Sequence, residues 1–191
     1  MGERILADKQ IGILIGSLRR ESYCRAIANY IMSVAPTGLS IKEIPLGELS
    51  MFNQDYDDDG TTPTAWKVFR EEIRQLDGVL FITPEYNRSM PAVLKNALDI
   101  ASRPYGQSVW AGKAGGIISV SPGHVGGFGA NQHLRQPMGF LDIRLMQQPE
   151  AYVCDVTTAL DDKNNVVKES TQQSLQNYLQ AFKKWVTIIE G

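Results

Sequence analysis

Apolar and polar positions recur along the chain with two periods, one of two residues and one of three to four, and these alternate throughout. Ile11 to Ile15 is a short buried-strand run that stops at Gly16-Ser17. From about Ser22 to Val34, the residues Ala26, Ile27, Tyr30, Ile31 and Val34 fall on one stripe, the spacing of an amphipathic helix. Leu39 to Leu46 alternates apolar and polar and reads as a half-exposed strand near a sheet edge. Residues 52–64, FNQDYDDDGTTPT, are too polar and acidic for an element and read as a loop. Thr64 is placed to cap a helix reaching about Leu76, and Gly78 to Thr83 reads as a central strand, apolar on both faces. Pro91 suits the first turn of a helix to about Ala101, because an N–H has no partner there in any case. Gly115 to Val120 predicts a fourth strand, about Ala130 to Phe140 a helix, and residues 143–153 a fifth strand split around Pro149. In the last helix, about Ser170 to Ile188, the residues Leu175, Leu179, Phe182, Val186 and Ile189 share a face.

Five strand–helix alternations imply parallel strands, since each parallel step needs a crossover and a helix fills it. The expected fold is α/β, an open five-stranded sheet with helices on both faces in the order 2-1-3-4-5. The 191 residues fit a single domain, 1–191, with no repeat or linker. Hydrophobic residues at 43% and charged residues at 21% are ordinary for a globular protein. A net charge of -2 argues against a nucleic-acid or membrane-surface binder. No apolar run approaches the roughly 20 residues needed to span a bilayer. The start, MGERILADKQ, carries charge where a secretion signal needs an apolar stretch, so Cys24 and Cys154 are expected as free thiols in a cytoplasmic protein.

In such a sheet, ligands bind beyond the carboxyl ends of the strands where the strand order reverses. The loops after the first, third and fourth strands converge there. In Gly16-Ser17-Leu18-Arg19-Arg20-Glu21-Ser22-Tyr23 a strand ends and a helix opens, so backbone N–H groups and the positive helix end face the loop. Ser17 and Ser22 add hydroxyls and Arg19 a charged fork, which together suit a monophosphate. No GK[ST] ending is present, which argues against triphosphate hydrolysis, and Cys24 has no arginine six residues on, as a phosphatase thiolate loop would. The plain alternative is a helix capped by Ser22 with surface arginines. In Thr83-Pro84-Glu85-Tyr86-Asn87-Arg88-Ser89-Met90-Pro91, prolines stiffen a loop in which Tyr86 and the backbone of residues 85–88 suit a flat ring such as a flavin. Here the alternative is a rigid connection with Asn87 in a turn. In Ser119-Val120-Ser121-Pro122-Gly123-His124-Val125-Gly126-Gly127, dense glycine lets backbone approach a ligand closely.

Taken together, GSLRRESY at 16–23, TPEYNRSMPAVLKNALD at 83–99, SPGHVGG at 121–127, HLRQ at 133–136 and Pro149-Glu150 resemble the NADPH-dependent FMN reductase family, in its quinone or chromate reductase branch. The resemblance runs through nearly the whole chain. It implies flavodoxin-like subunits in a homodimer or homotetramer, each with non-covalent FMN. It also implies that Ser17, Arg19 and Ser22, with Tyr23 beside them, hold the phosphate. Pro84, Glu85, Tyr86 and Asn87 would line the ring, and Ser121 and Gly123 would lie beside it. Glu150 matches a glutamate that, with nearby arginines, joins dimers into tetramers in this branch.

The activity so implied has two half-reactions through one site. NADPH or NADH reduces FMN and leaves, and a quinone, flavin, azo dye or oxyanion such as chromate takes its place. The flavin carries the chemistry, so no catalytic side chain is assigned. His124 lies in a glycine turn and His133 on a helix face, where a structural role is the expectation. No His, Cys, Asp and Glu cluster has metal-ligand spacing. Arg20 and Arg103 are candidates for a 2′-phosphate. The alternative function is a flavodoxin-type electron carrier that does not oxidise nicotinamide directly.

Overall fold

The computed structural model describes residues 8–190; the charged start of the chain, residues 1–7, lies outside the described residues. Strand β1 (Lys9–Ile15) lies parallel between β2 (Leu39–Glu43) and β3 (Gly78–Thr83), with Ile11 opposite both Ile41 and Gly78. Strand β4 (Ala114–Val120) pairs with β3 from Gly78↔Ala114 to Thr83↔Ser119. The fifth position is filled by two short pieces on β4, β5 (Arg144–Leu145) and β6 (Ala151–Val153), with a cis Gln148–Pro149 bond between them. The order is therefore 2-1-3-4-5, the flavodoxin-like order, with the expected split near Pro149 producing a sixth strand.

Alternation along β3 divides the core. Leu80 and Ile82 pack with Ile13 and Ile118 under helices α1 (Tyr23–Ser33) and α6 (Glu169–Glu190). Val79 and Phe81 face the other way, under α3 (Thr64–Arg74), α4 (Ala92–Ala101) and α5 (Phe128–Phe140). The α6 stripe is as expected, with Leu175, Leu179, Phe182 and Val186 buried. Gly116 on β4 lets α6 approach, because a methyl there would lie 2.6 Å from the Tyr178 hydroxyl, which donates to the Ile117 carbonyl. Among the described residues no helix is long and apolar enough to cross a membrane.

Three local expectations need correction. Thr64 does not cap α3 but is its first residue, after Pro63, and no side chain caps that end. Pro91 stands at the cap position of α4, one residue before the first turn. The segment 52–64 is not merely a loop: Asp55–Asp58 form a short helix, α2. Its anchors are a charge pair and the Tyr56 ring, which meets Trp66 edge-on with centroids 5.6 Å apart. Arg70 on α3 donates from both terminal nitrogens to Asp57 at 2.6 and 2.8 Å and from Nε to the Ile100 carbonyl at 2.9 Å. Beside this pair, Trp66 stacks on Phe52 with centroids 5.6 Å apart, and Asn96 of α4 accepts the Phe52 N–H at 2.8 Å. These contacts fix the acidic segment against α3 and α4.

Candidate functional site

At the carboxyl edge of the sheet, the chain leaves β1 through Gly16, whose N–H donates to the Ile82 carbonyl at 2.8 Å. A methyl on Gly16 would lie 2.8 Å from Leu94 Cδ1 and 2.9 Å from Pro84 Cδ, so this turn presses directly on the loop after β3. Ser22 is the cap of α1 and accepts the Arg25 N–H at 3.4 Å, so the alternative of a capped helix is true as far as it goes. It does not account for the rest of the turn. Among the described residues, the backbone N–H groups of residues 17–21 meet no acceptor, and Arg19 enters no ion pair. The Arg19 guanidinium lies 5.0 Å from the centroid of the Tyr23 ring, while Ser17 and Ser22 are buried. Unspent amides, two hydroxyls and one free guanidinium at a helix N-terminus are the donor set that a phosphate monoester needs.

The loop after β3 is a tight hairpin. Tyr86 and Ser89 exchange two backbone hydrogen bonds of 3.0 Å, and the two residues between them, Asn87 (φ 52) and Arg88 (φ 65), are both left-handed. Two positive φ values make a turn of the I′ kind, at a cost of about 1–2 kcal/mol for each residue bearing a side chain. The Tyr86 ring is half exposed, and its hydroxyl reaches Ser17 Oγ at 3.4 Å, joining this loop to the first. The Glu85 carboxylate turns away towards α5, where it accepts the Ala130 N–H at 3.1 Å and meets Arg88 at 3.0 Å.

The loop after β4 is tied to the segment following β6. Ser121 donates its N–H to Val153, Val156 donates to the Ser121 carbonyl, and the Ser121 hydroxyl accepts the Gly123 N–H at 3.0 Å. Gly126 (φ 62) packs on Cys154, whose sulfur a methyl there would approach to 2.7 Å. His124 pairs with Asp155 at 2.8 Å and His133 with Ser89 at 2.9 Å.

These loops enclose a cavity of about 270 Å³ lined by Ser17, Arg19, Ser22, Tyr23, Pro84, Glu85, Tyr86 and Ser121, eight of the ten residues read from the sequence. Asn87 is at the exposed tip of the hairpin and Gly123 in the exposed part of the third loop, and neither lines the cavity. Val120, Pro122 and Cys24 line it without having been expected. Val120 ends its strand and Pro122 adjoins Ser121, so strand register was the available signal; Cys24 gave none. Burial pushes the Cys24 thiol up to about 12, against smaller opposing effects of the Ser22 hydrogen bond and the Arg19 charge. Cys154 is exposed and both thiols are free. Titration with a thiol reagent is expected to find one fast-reacting group in the native protein and a second only on unfolding; rapid reaction of both would contradict this burial.

Arg20 and Arg103 do not come together. Arg20 opens on a polar cavity of about 470 Å³ shared with Lys163, and Arg103 on a mixed groove of about 560 Å³ between α4 and α5 that also holds Lys95, Asp99 and Phe140. Glu150 has its partner within the chain, Arg135 at 3.3 Å.

Comparison with known proteins places this geometry. Residues 10–158 match the family model of NADPH-dependent FMN reductases. The chain is similar to a quinone reductase of Pseudomonas putida, with 47% identity over 93% of this chain and 95% of that one. It is 45% identical to a 2-hydroxy-1,4-benzoquinone reductase of a Burkholderia species, over 93% of this chain and 96% of the other. Among solved structures it is similar to the flavoenzyme NAD(P)H:(acceptor) oxidoreductase FerB of Paracoccus denitrificans, with TM-score 0.87, 34% identity, and coverage of 94% of this chain and 98% of that one. The family model matched over most of the chain and the relatives covered nearly end to end place it: the chain belongs to the NADPH-dependent FMN reductase family.

Proposed function

We propose that this chain is an FMN-dependent NAD(P)H:quinone oxidoreductase whose phosphate cradle is the turn Ser17–Ser22 and whose ring support is the Tyr86 hairpin. The observation that carries this is the convergence of unspent amides, Ser17, Ser22 and Arg19 with Tyr86 and Ser121 on one cavity at the switch point of the sheet. The quinone-reducing relatives support the acceptor class.

FMN, when bound, supplies acceptance of a hydride from the nicotinamide and its delivery to the acceptor. The protein's part is binding and orientation. Arg19 and the amides of residues 17–21 neutralise and orient the phosphate, with Ser17 and Ser22 completing the hydrogen bonds. Tyr86 offers an exposed face for stacking, while Val120 and Pro122 give an apolar wall. His124 and His133 do not line the cavity, and the Glu85 carboxylate is engaged by Ala130 and Arg88, so no proton-transfer role is assigned to them. An open site of this kind accepts varied oxidants, and reduction of free flavins, azo dyes or chromate would be incidental to quinone reduction.

In assembly, the groove between α4 and α5, rimmed by the protruding Phe140 side chain, supports a homodimer across this face, with a homotetramer built from it. The free thiols fit a cytoplasmic location, and the one continuous sheet fits a single domain over residues 1–191. Purified protein is expected to be yellow, or to become so on adding FMN, and under anaerobic conditions to oxidise NADH or NADPH beyond one equivalent per flavin only when a quinone is supplied. Protein that remains colourless after reconstitution would refute the assignment, as would flavin-loaded protein that no nicotinamide nucleotide reduces.

A further inference from the structure

Helix α5 begins after Gly127, a cap residue with φ 75 and no side chain. The acceptor that serine, threonine or aspartate normally brings to the third amide of a helix is therefore missing from its own position. It comes from 45 residues upstream: Glu85 Oε2 accepts the Ala130 N–H, the third amide of α5, at 3.1 Å. Gly129 makes the room for this, since a methyl there would lie 2.9 Å from Glu85 Oε2 and 2.8 Å from the Arg88 carbonyl. The other carboxylate oxygen, Oε1, receives Arg88 at 3.0 Å. One helical turn further on, His133 holds Ser89 at 2.9 Å, so the hairpin is fastened to α5 on both sides of its tip. Asn87 and Arg88, left-handed at the tip, are in a conformation that persists only where the surroundings over-determine it.

We propose that Glu85 is a positioning residue which, by capping α5 from the ring-support loop, holds the Asn87–Arg88 turn in the conformation that receives the flavin ring. The carboxylate acts through the hairpin and not by contact with the ring. Arg88 is 79% exposed on its side chain against 11% for Glu85, so their ion pair is screened and the cap carries most of the effect. This inference rests on the reading that FMN lies against the Tyr86 hairpin.

The test compares Glu85→Ala, Glu85→Gln and Gly129→Ala with the parent full-length protein. It measures FMN dissociation constants by fluorescence quenching and visible circular dichroism of the bound flavin. Glu85→Ala removes the acceptor and is expected to raise Kd about tenfold and to change the flavin dichroism, as a lost cap would. Glu85→Gln keeps an amide oxygen for Ala130 and is expected to stay within about threefold of the parent. Gly129→Ala, which does not line the cavity, is expected to behave like Glu85→Ala, because its methyl displaces the same carboxylate. Should Glu85→Ala fail to fold, the glutamine and Gly129 variants decide the question. Variants with a lowered melting temperature but parental Kd and dichroism would make Glu85 a structural cap only and overturn the proposal. Failure of the parent protein to bind FMN would instead overturn the underlying reading of the site.

Discussion

Replacing Arg19 by alanine is expected to weaken FMN binding by about 2 kcal/mol, roughly thirtyfold in Kd, the usual scale for losing hydrogen bonds to a charged group. The side chain is well suited to such a test. It enters no ion pair among the described residues, and its one marked contact is the approach to the Tyr23 ring at 5.0 Å. That contact is worth only about 0.5–1 kcal/mol at an exposed site, so apo-protein stability should hardly change. Arg19→Lys keeps the charge but loses the planar fork, and should fall between parent and alanine. Isothermal titration of apo-protein with FMN measures all three. An alanine variant that binds within twofold of the parent would remove Arg19 from the cradle. Ser22 is less informative, because it also caps α1 and its loss would mix cofactor binding with helix stability.

Arg70→Leu is expected to cost about 3 kcal/mol of stability, or on the order of 10 °C in Tm for a chain of this size, although residue 70 is not among the cavity-lining residues. The Arg70 and Asp57 side chains are 9% and 4% exposed, so removing the guanidinium strands a carboxylate out of water. The same pair makes stability depend on pH. Hydrogen bonds from Arg70 hold the Asp57 carboxyl below its ordinary range, against the opposing effect of burial and with help from Thr62. A carboxylate whose value is lower in the folded than in the unfolded state stabilises fully above its unfolded value and loses that contribution as pH falls through the folded one. Denaturant melts should therefore show the parent losing stability from the carboxylate range downward, with a flatter slope in Arg70→Leu/Asp57→Leu. Equal stability of parent and Arg70→Leu at neutral pH would show that the pair contributes nothing net.

Much of this molecule is legible residue by residue because strands and helices write their periods locally. Gly78–Thr83 matches its expected bounds, since a strand buried on both faces needs an unbroken apolar run. The α6 stripe likewise reads directly, because each buried residue lies three or four positions from the next. Most of the cavity was legible for a related reason: parallel topology sends the ends of β1, β3 and β4 to one edge, so three odd loops had to converge.

What local pattern does not contain is pairing at a distance. Helix α2 is held by partners on another helix, with Asp57 paired to Arg70 and Tyr56 set edge-on against Trp66. Asn87 and Gly123, expected beside the ring, are exposed and are not among the residues that line this cavity, since Asn87 sits at the left-handed tip of its hairpin. Glu85 was expected to line the ring, and it lines the cavity, yet its carboxylate is engaged by a helix that begins 43 residues later after a bare glycine. The sequence alone determined the strand order, the layers and the edge at which the three unusual loops converge, through short-range hydrophobic periodicity and the crossover rule. Only the tertiary structure decided which polar side chains are committed to the scaffold and which are left to a ligand, because a hydrogen bond is specified by the partner brought within about 3 Å, wherever in the chain it lies.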